Sequence, residues 1–392
     1  MRILTFLHSF EPGGVERIAL RLVRQWRGLG IEAPLFVGRP DGRMAHDVGL
    51  GLDVLVPAQP AIPAVFWETL WMIATLPRVI RRERPDILFC AGNTYGVVAV
   101  AMKLILGRKC PPILAKISND LDRRDQPFLG RPLYRLWLRI LGRSLDRFVG
   151  MAEPARAEIR DRMGVADAKI AIIPDPALSR QLINDARAPC LAPSRPGGGR
   201  QFVAIGRLAP QKNLALMLRA FNRGAAPGDR LTLIGEGPER QRLATLAARL
   251  GIAHQVSFQG YAAAPLEALR AFDVLLLSSD YEGVPAVIME ALAANLTIVA
   301  TDCSRSMRAL LDHGALGQLV PVRDECALAR AISAAQPGTN CPRRSRAQAE
   351  RFTIEHSAEL YLDALAQTCR APRRLVAAND PASPVQPASR RR

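Results

Sequence analysis

Aromatic residues are scarce, at 5% of the 392 residues, so base stacking on single-stranded nucleic acid has little to use. No nucleic-acid recognition module is present, and no nucleic-acid partner is expected. Acidic residues are outnumbered, with 36 Asp and Glu against 53 Lys and Arg, a net charge of +17. Such an excess points to an anionic partner, whether phosphates or an acidic membrane face. Cysteines are few and unpaired in pattern: seven, at 90, 110, 190, 303, 326, 341 and 369, with no CxxC spacing. That excludes a disulfide framework or a cysteine metal site and reads as reduced cytosolic thiols. Long hydrophobic runs are missing as well. The longest, IPAVFWETLWMIATLP (62–77), carries Glu68, is bracketed by prolines and falls short of the ~20 residues of a membrane span. It predicts a buried or interfacial helix. The opening MRILTFLHSFEPGG reads as a strand and turn without the apolar core of a signal peptide. The expected location is cytoplasmic, with at most peripheral contact with the inner face of the cytoplasmic membrane.

What is present is a rhythm of short apolar strands and amphipathic helices. RILTFLHS (2–9) leads into VERIALRLVRQWRGLG (15–30), where Ile18, Leu22 and Trp26 recur at helical spacing. Later strands include DILFCAG (86–92), PPILAKIS (111–118), RFVGMA (147–152) and KIAIIP (169–174). This alternation is the mark of a parallel sheet covered on both faces. It breaks at 186–200, rich in Pro, Gly, Arg and Ser, and restarts at QFVAIGR (201–207). The chain therefore divides into an N-terminal α/β domain (1–185), a linker (186–200) and a second α/β domain (201–350). A helix at 351–370, able to return to the first domain, and a basic tail of disordered composition (371–392) complete it. Ligands of open α/β sheets bind outside the carboxyl ends of the strands, so a central cleft between two such edges is the expected site.

Four turns at those edges carry candidate chemistry. Gly13-Gly14 follows a strand and opens a helix, where bare backbone amides approach an anion closely; a plain tight turn has the same sequence. In IGRLAPQKN (205–213), Arg207 and Lys212 flank the equivalent turn of the second domain and suit a diphosphate, unless both are simply solvated. LIGEGPER (233–240) repeats the strand–glycine–helix pattern, with Gly235 at the bend. In EGVPAVIME (282–290), Glu282 lies on the loop and Glu290 on the helix, eight positions apart. Gly283, Val284 and Pro285 make the bend, with Pro285 expected in the first helical turn. Glu290 has apolar neighbours, so its carboxylate would be buried and in need of donors such as vicinal hydroxyls.

GRLAPQKN, LIGEGP, FQG and SSDYEGVPAVIMEALA, in this order, resemble the retaining nucleotide-sugar glycosyltransferases of the GT-B fold, glycosyltransferase family four. The resemblance spans the chain, because GGVER (13–17) is similar to that family's diphosphate-contacting glycine loop. It implies two Rossmann-like domains and transfer from a nucleotide-diphosphate sugar to a glycan or lipid-linked acceptor, as in bacterial polysaccharide or glycolipid assembly. By position, Arg207 and Lys212 would hold the donor diphosphate, with Gly13 and Gly14 approaching it. Glu290 would hold the ribose hydroxyls, Glu282 the donor sugar, and the segment around Tyr261 the nucleobase. Catalytic roles would fall to Glu282, Arg207 and Lys212, with no cofactor and no metal. Asn295-Leu296-Thr297 stands where relatives carry Gly-x-Pro; Asn tolerates the left-handed conformation that ends a helix. Ser118-Asn119-Asp120 stands where many relatives carry a histidine, so Asn119 or Asp120 is assigned to the acceptor side.

Other readings remain open on sequence alone. Asp120-Leu121-Asp122 is similar to the metal-holding motif of single-domain glycosyltransferases, or is a surface turn. An epimerase, a hydrolase or a non-catalytic nucleotide-sugar-binding protein would share the two-domain shape. Arginines 131, 135, 139, 143 and 147 recur every four residues through an amphipathic segment. Such a helix suits an anionic membrane surface, or simply presents a solvated face.

Overall fold

The computed structural model describes residues 1–11, 13–42, 44, 52–61, 67–118, 121, 131–185, 198–262 and 265–370. Runs of Ile, Leu, Val and Phe become strands because side chains on both faces are covered by helices. The strands of the first sheet are β1 (Ile3–Leu7), β2 (Leu35–Val37), β3 (Val54–Leu55), β4 (Ile87–Cys90), β5 (Ile113–Lys116), β6 (Arg147–Gly150) and β7 (Ile170–Ile172). All pair in parallel, in the order β3-β2-β1-β4-β5-β6-β7, with Thr5 opposite both Leu35 and Phe89. The second sheet holds β8 (Gln201–Ile205), β9 (Arg230–Ile234), β10 (Val256–Gln259), β11 (Val274–Leu277), β12 (Thr297–Thr301) and β13 (Gln318–Val320). It is also parallel, ordered β10-β9-β8-β11-β12-β13. The strand order reverses between β1 and β4 and between β8 and β11, the positions where such sheets open a crevice for ligands.

Helices α1 (Gly14–Gly28), α2 (Glu68–Glu83), α3 (Gly96–Leu106), α4 (Arg131–Ser144), α5 (Pro154–Met163) and α6 (Arg180–Asp185) belong to the first half of the chain. They are followed by α7 (Leu214–Gly224), α8 (Arg240–Arg249), α9 (Pro265–Leu269), α10 (Ala286–Ala293), α11 (Met307–Leu310), α12 (Glu325–Ala334), α13 (Pro342–Glu350) and α14 (Ile354–Arg370). α1 buries Ile18, Leu22 and Trp26 on one stripe, as its period requires.

α14 is part of the first domain's core. Tyr361 is fully buried against Trp26 and Phe89, with ring centroids 6.3 and 5.4 Å away. The Trp26 indole donates to the Ala358 carbonyl at 3.3 Å. Each such buried ring contributes about 1.5–3 kcal/mol. The chain thus passes between the domains twice. The two passages are joined where Leu178 donates to the Phe352 carbonyl (3.1 Å) and accepts from the Ile354 amide (2.8 Å).

Two local expectations are corrected. Pro77 does not bound the apolar run: α2 continues through it to Glu83, and Pro77 is buried within the helix. The ring lacks only one amide donor, a loss that packing on the core outweighs. The basic helix ends at Ser144, and Arg147 instead opens β6, half-buried, with its guanidinium pKa lowered by burial. The linker residues 186–197, the tail 371–392 and the first part of the 62–77 run, residues 62–66, lie outside the described residues. The cysteines among the described residues are thiols rather than disulfides. No described helix is long and apolar enough to cross a membrane.

Candidate active site

At the carboxyl end of β8 the chain must turn sharply to reach α7. Gly206 takes φ 149°, a conformation reserved for glycine, and Lys212 Cε lies 3.3 Å from where a Cβ would stand. Gly235, at φ 147°, packs its α-carbon against the Gly206 carbonyl, where a Cβ would come within 2.0 Å. Its amide donates to the Gln259 carbonyl at 3.0 Å, so Gly235 supports the turn from beneath. Arg207 is exposed and makes no ion pair among the described residues. Lys212 ends the short turn Pro210–Lys212, and Asn213 follows at φ 44°.

From the neighbouring strand β11, the loop 278–285 brings Glu282 to this turn. Glu282 Oε1 accepts from Lys212 Nζ at 2.6 Å and from the Ser279 hydroxyl at 2.8 Å. Burial, with Glu282 nearby, pushes the Cys303 thiol up to about 12, so it stays protonated and inert. The sequence reading missed the supports of this pair. Asp280 accepts from Asn213 Nδ2 (2.8 Å) and from Arg323 Nη2 (2.7 Å), tying the two turns together. Side chains that only hold other side chains leave no motif of their own.

Pro285 is the N-cap of α10, one position earlier than the first helical turn. Lacking an N–H, it leaves the amides of Gly283, Val284, Ala286 and Val287 at the helix start, none with a backbone partner among the described residues. Glu290 lies in the next turn, 7% exposed. No hydrogen bond to its carboxylate is present among the described residues. Burial raises its pKa, and the positive charges of Arg21 and Arg17 act against that rise.

Those two arginines come from α1 of the first domain, just past Gly13 and Gly14. Arg17 donates to the Tyr261 hydroxyl at 3.0 Å across the cleft. Arg21 is held by the carbonyls of Pro176 and Ala177. Gly14 is open on its Cβ side, whereas Gly13 is covered by the Glu16 carboxylate, which would lie 2.0 Å from a Cβ. Glu16 in turn accepts from the Tyr95 hydroxyl at 2.6 Å, and Tyr95 stacks on His8 at 4.7 Å between centroids. Burial lowers the His8 pKa, keeping the imidazole neutral near pH 7, though Glu68 and Glu16 oppose the shift. This first-domain cluster was not visible in sequence, because His8 and Tyr95 meet only through the pairing of β1 with β4. At the end of β5, Lys116 is 1% exposed and pairs with Asp175. Asn119, Asp120 and Asp122, and with them both carboxylates of the Asp-x-Asp segment, lie outside the described residues.

The structure thus gathers Arg207, Lys212, Glu282 and the start of α10 on one edge. Glu290 and Tyr261 face α1 from the same side. Among the described residues no group of three or more His, Cys, Asp or Glu is arranged to hold a metal.

Residues 12–176 match the family model described as Glycosyltransferase Family 4, and residues 199–335 match Glycosyl transferases group 1. The lipopolysaccharide core biosynthesis glycosyltransferase LpsE of Rhizobium meliloti is 29% identical over 347 residues, 84% of this chain and 87% of that protein. An exopolysaccharide phosphotransferase of Streptomyces coelicolor is 31% identical over 193 residues, 48% of this chain but only 19% of that longer protein. Among solved structures, HepE of Anabaena in complex with UDP and glucose superposes with a TM-score of 0.75 at 18% identity, covering 93% of this chain and 99% of that one. The chain belongs to the GT-B glycosyltransferases.

Proposed function

We propose that the protein is a retaining, family-four glycosyltransferase that moves a hexosyl or related sugar from a nucleoside-diphosphate sugar to a glycan or lipid-linked acceptor. The setting is the assembly of a bacterial polysaccharide or glycolipid, in keeping with the name of the LpsE relative. The observation that carries the reading is Glu290, a carboxylate 7% exposed with no protein hydrogen bond among the described residues. A buried carboxylate needs donors, and the vicinal hydroxyls of a ribose supply two. Arg207 and Lys212 offer a fork and a point charge to the diphosphate, with the α10 amides and Gly14 adding dipolar donors. Tyr261 flanks the base, and Glu282 reaches the transferred sugar.

In the reaction the bond from the anomeric carbon to the diphosphate oxygen breaks, and a bond to the acceptor oxygen forms on the same face. The acceptor proton passes to the leaving phosphate. Negative charge grows on the diphosphate beside Arg207 and Lys212, and positive charge on the sugar beside Glu282. The two cations take the role a divalent ion would otherwise fill, so activity is expected to survive chelation. Asn119 and Asp120 belong to the acceptor side of this proposal.

Peripheral membrane contact is proposed through α4. It exposes Arg131, Arg135, Arg139 and Arg143 alongside Leu133, Leu136 and Ile140, a combination suited to an anionic lipid surface. Flotation with anionic but not neutral vesicles is the expected result.

Thermal-shift titration with UDP-, GDP- and ADP-sugars tests the central claim. One nucleotide series should raise Tm, and Glu290→Ala should abolish the rise. No shift with any series overturns the reading. Donor turnover with and without acceptor separates transfer from hydrolysis or epimerisation.

A further inference from the structure

Beneath α4 lies a cavity of about 290 Å³. The apolar part of its described lining is Trp137, Leu138 and Leu141 of α4, with Leu121, Phe148 and Met163. Lys116, the buried charge among its described lining residues, is neutralised by Asp175. At one end the lining turns polar at Asn93 and Thr94, at the carboxyl end of β4. That end is fixed to β5, because the Ser118 amide donates to Asn93 Oδ1 at 2.9 Å. The polar end therefore sits at the first domain's ligand edge, where the acceptor is expected. On its outer side the cavity is roofed by the helix whose surface carries the arginine row. α3 packs beside α4 and adds exposed Val97, Leu104 and Ile105.

Protein interiors are packed like organic crystals, so a recess of this size beneath a helix is space the protein's own side chains leave open. Even an engineered apolar cavity of about 150 Å³ stays dry and takes up benzene. The volume equals about ten waters at ~30 Å³ each, and a methylene is of similar size, so a chain of about ten carbons fills it. Polar groups at Asn93 and Thr94, apolar lining from α4 and an arginine-lined exterior match an amphiphile with an anionic head.

We infer that this cavity holds the apolar chain of a lipid-linked acceptor, whose polar end lies at Asn93, Thr94 and Ser118. The inference rests on the transferase reading above and adds the acceptor's chemical class and the place of its chain. The rival occupant, bulk membrane lipid adsorbed on the outer face of α4, would not enter the cavity.

The test uses the full chain and an undecyl maltoside brominated at the chain end, kept below its micelle concentration. Bromine quenches tryptophan on contact, and Trp137 is the tryptophan lining the cavity. The expected result is saturable quenching that disappears in Trp137→Phe. Ala115→Leu, which fills the cavity from β5, should weaken the probe about tenfold, the worth of about two excluded methylenes. The rise in Tm produced by the stabilising nucleotide series should persist in both variants. Should Ala115→Leu fail to fold, the Trp137→Phe comparison decides alone. Absent quenching, quenching unchanged in Trp137→Phe, or quenching only in the presence of vesicles overturns the inference. A missing nucleotide shift with quenching intact would instead count against the transferase reading.

Discussion

Lys212 and Glu282 form an ion pair, Nζ to Oε1 2.6 Å, between two turns at the carboxyl ends of adjacent strands. Both are mostly buried, at 21% and 12% side-chain exposure. The cation assigned to the diphosphate therefore has a competing anion within the protein. Donor binding must draw Lys212 away from Glu282 or seat the phosphate beside both.

Neutralising Glu282 should separate affinity from turnover. Glu282→Gln leaves Lys212 without its counter-charge, so the stabilising nucleoside diphosphate is expected to bind about three- to tenfold more tightly, the effect of about 1 kcal/mol of relieved competition. Transfer should fall by about 10²–10³, because charge on the sugar loses its stabilising group. Calorimetry with that nucleoside diphosphate and a turnover assay read the two effects separately. Weaker nucleotide binding would mean that Glu282 orients Lys212 rather than competing for it.

Glu290 should make stability and donor binding respond to pH in opposite directions. Burial raises its pKa above the ordinary 4.5, so the folded protein holds this proton more tightly than the unfolded chain. Stability from this residue then falls as pH rises from about 4.5 through the raised folded value. Glu290→Gln should flatten that slope in urea melts. Donor binding runs the other way, since only the carboxylate accepts two hydroxyl hydrogen bonds, and should weaken as pH drops through the same window.

Arg21 should set where that window lies. Its charge is the foremost favourable one acting on the Glu290 carboxylate. Arg21→Ala should move the pH midpoint of nucleotide binding upward and cost about 1–3 kcal/mol of stability from the freed carbonyls of Pro176 and Ala177. Arg21→Lys should restore the midpoint more fully than the stability.

Tyr361 offers a test of the domain exchange. Its hydroxyl is buried without a hydrogen-bond partner among the described residues. Tyr361→Phe is expected to be neutral or to stabilise by about 1 kcal/mol. Tyr361→Ala should cost about 3–5 kcal/mol through the cavity it leaves. Thermal unfolding measures both.

Strand–helix alternation, the glycine turns and the paired glutamates were legible because each is written in a local stretch of chain. Asn295 is a clear case: its φ of 57° ends α10 as expected of a glycine substitute. Interactions between distant segments were not legible. Arg17 and Tyr261 are 244 positions apart, and nothing near either one announces the other. Pro77 and Arg147 misled for the opposite reason, since local rules for helix ends yielded to burial on the first domain's core.

The exchange of α14 has a consequence for biosynthesis. Synthesis proceeds from the amino end, and domains generally close in that order. Here Trp26 and Phe89, edge to face with each other, are closed over by Tyr361. When that residue leaves the ribosome, every strand of the second sheet has already been made. The domain begun first is thus the last to be finished, and a nascent chain stalled before residue 354 would carry an open hydrophobic face beside a completed neighbour.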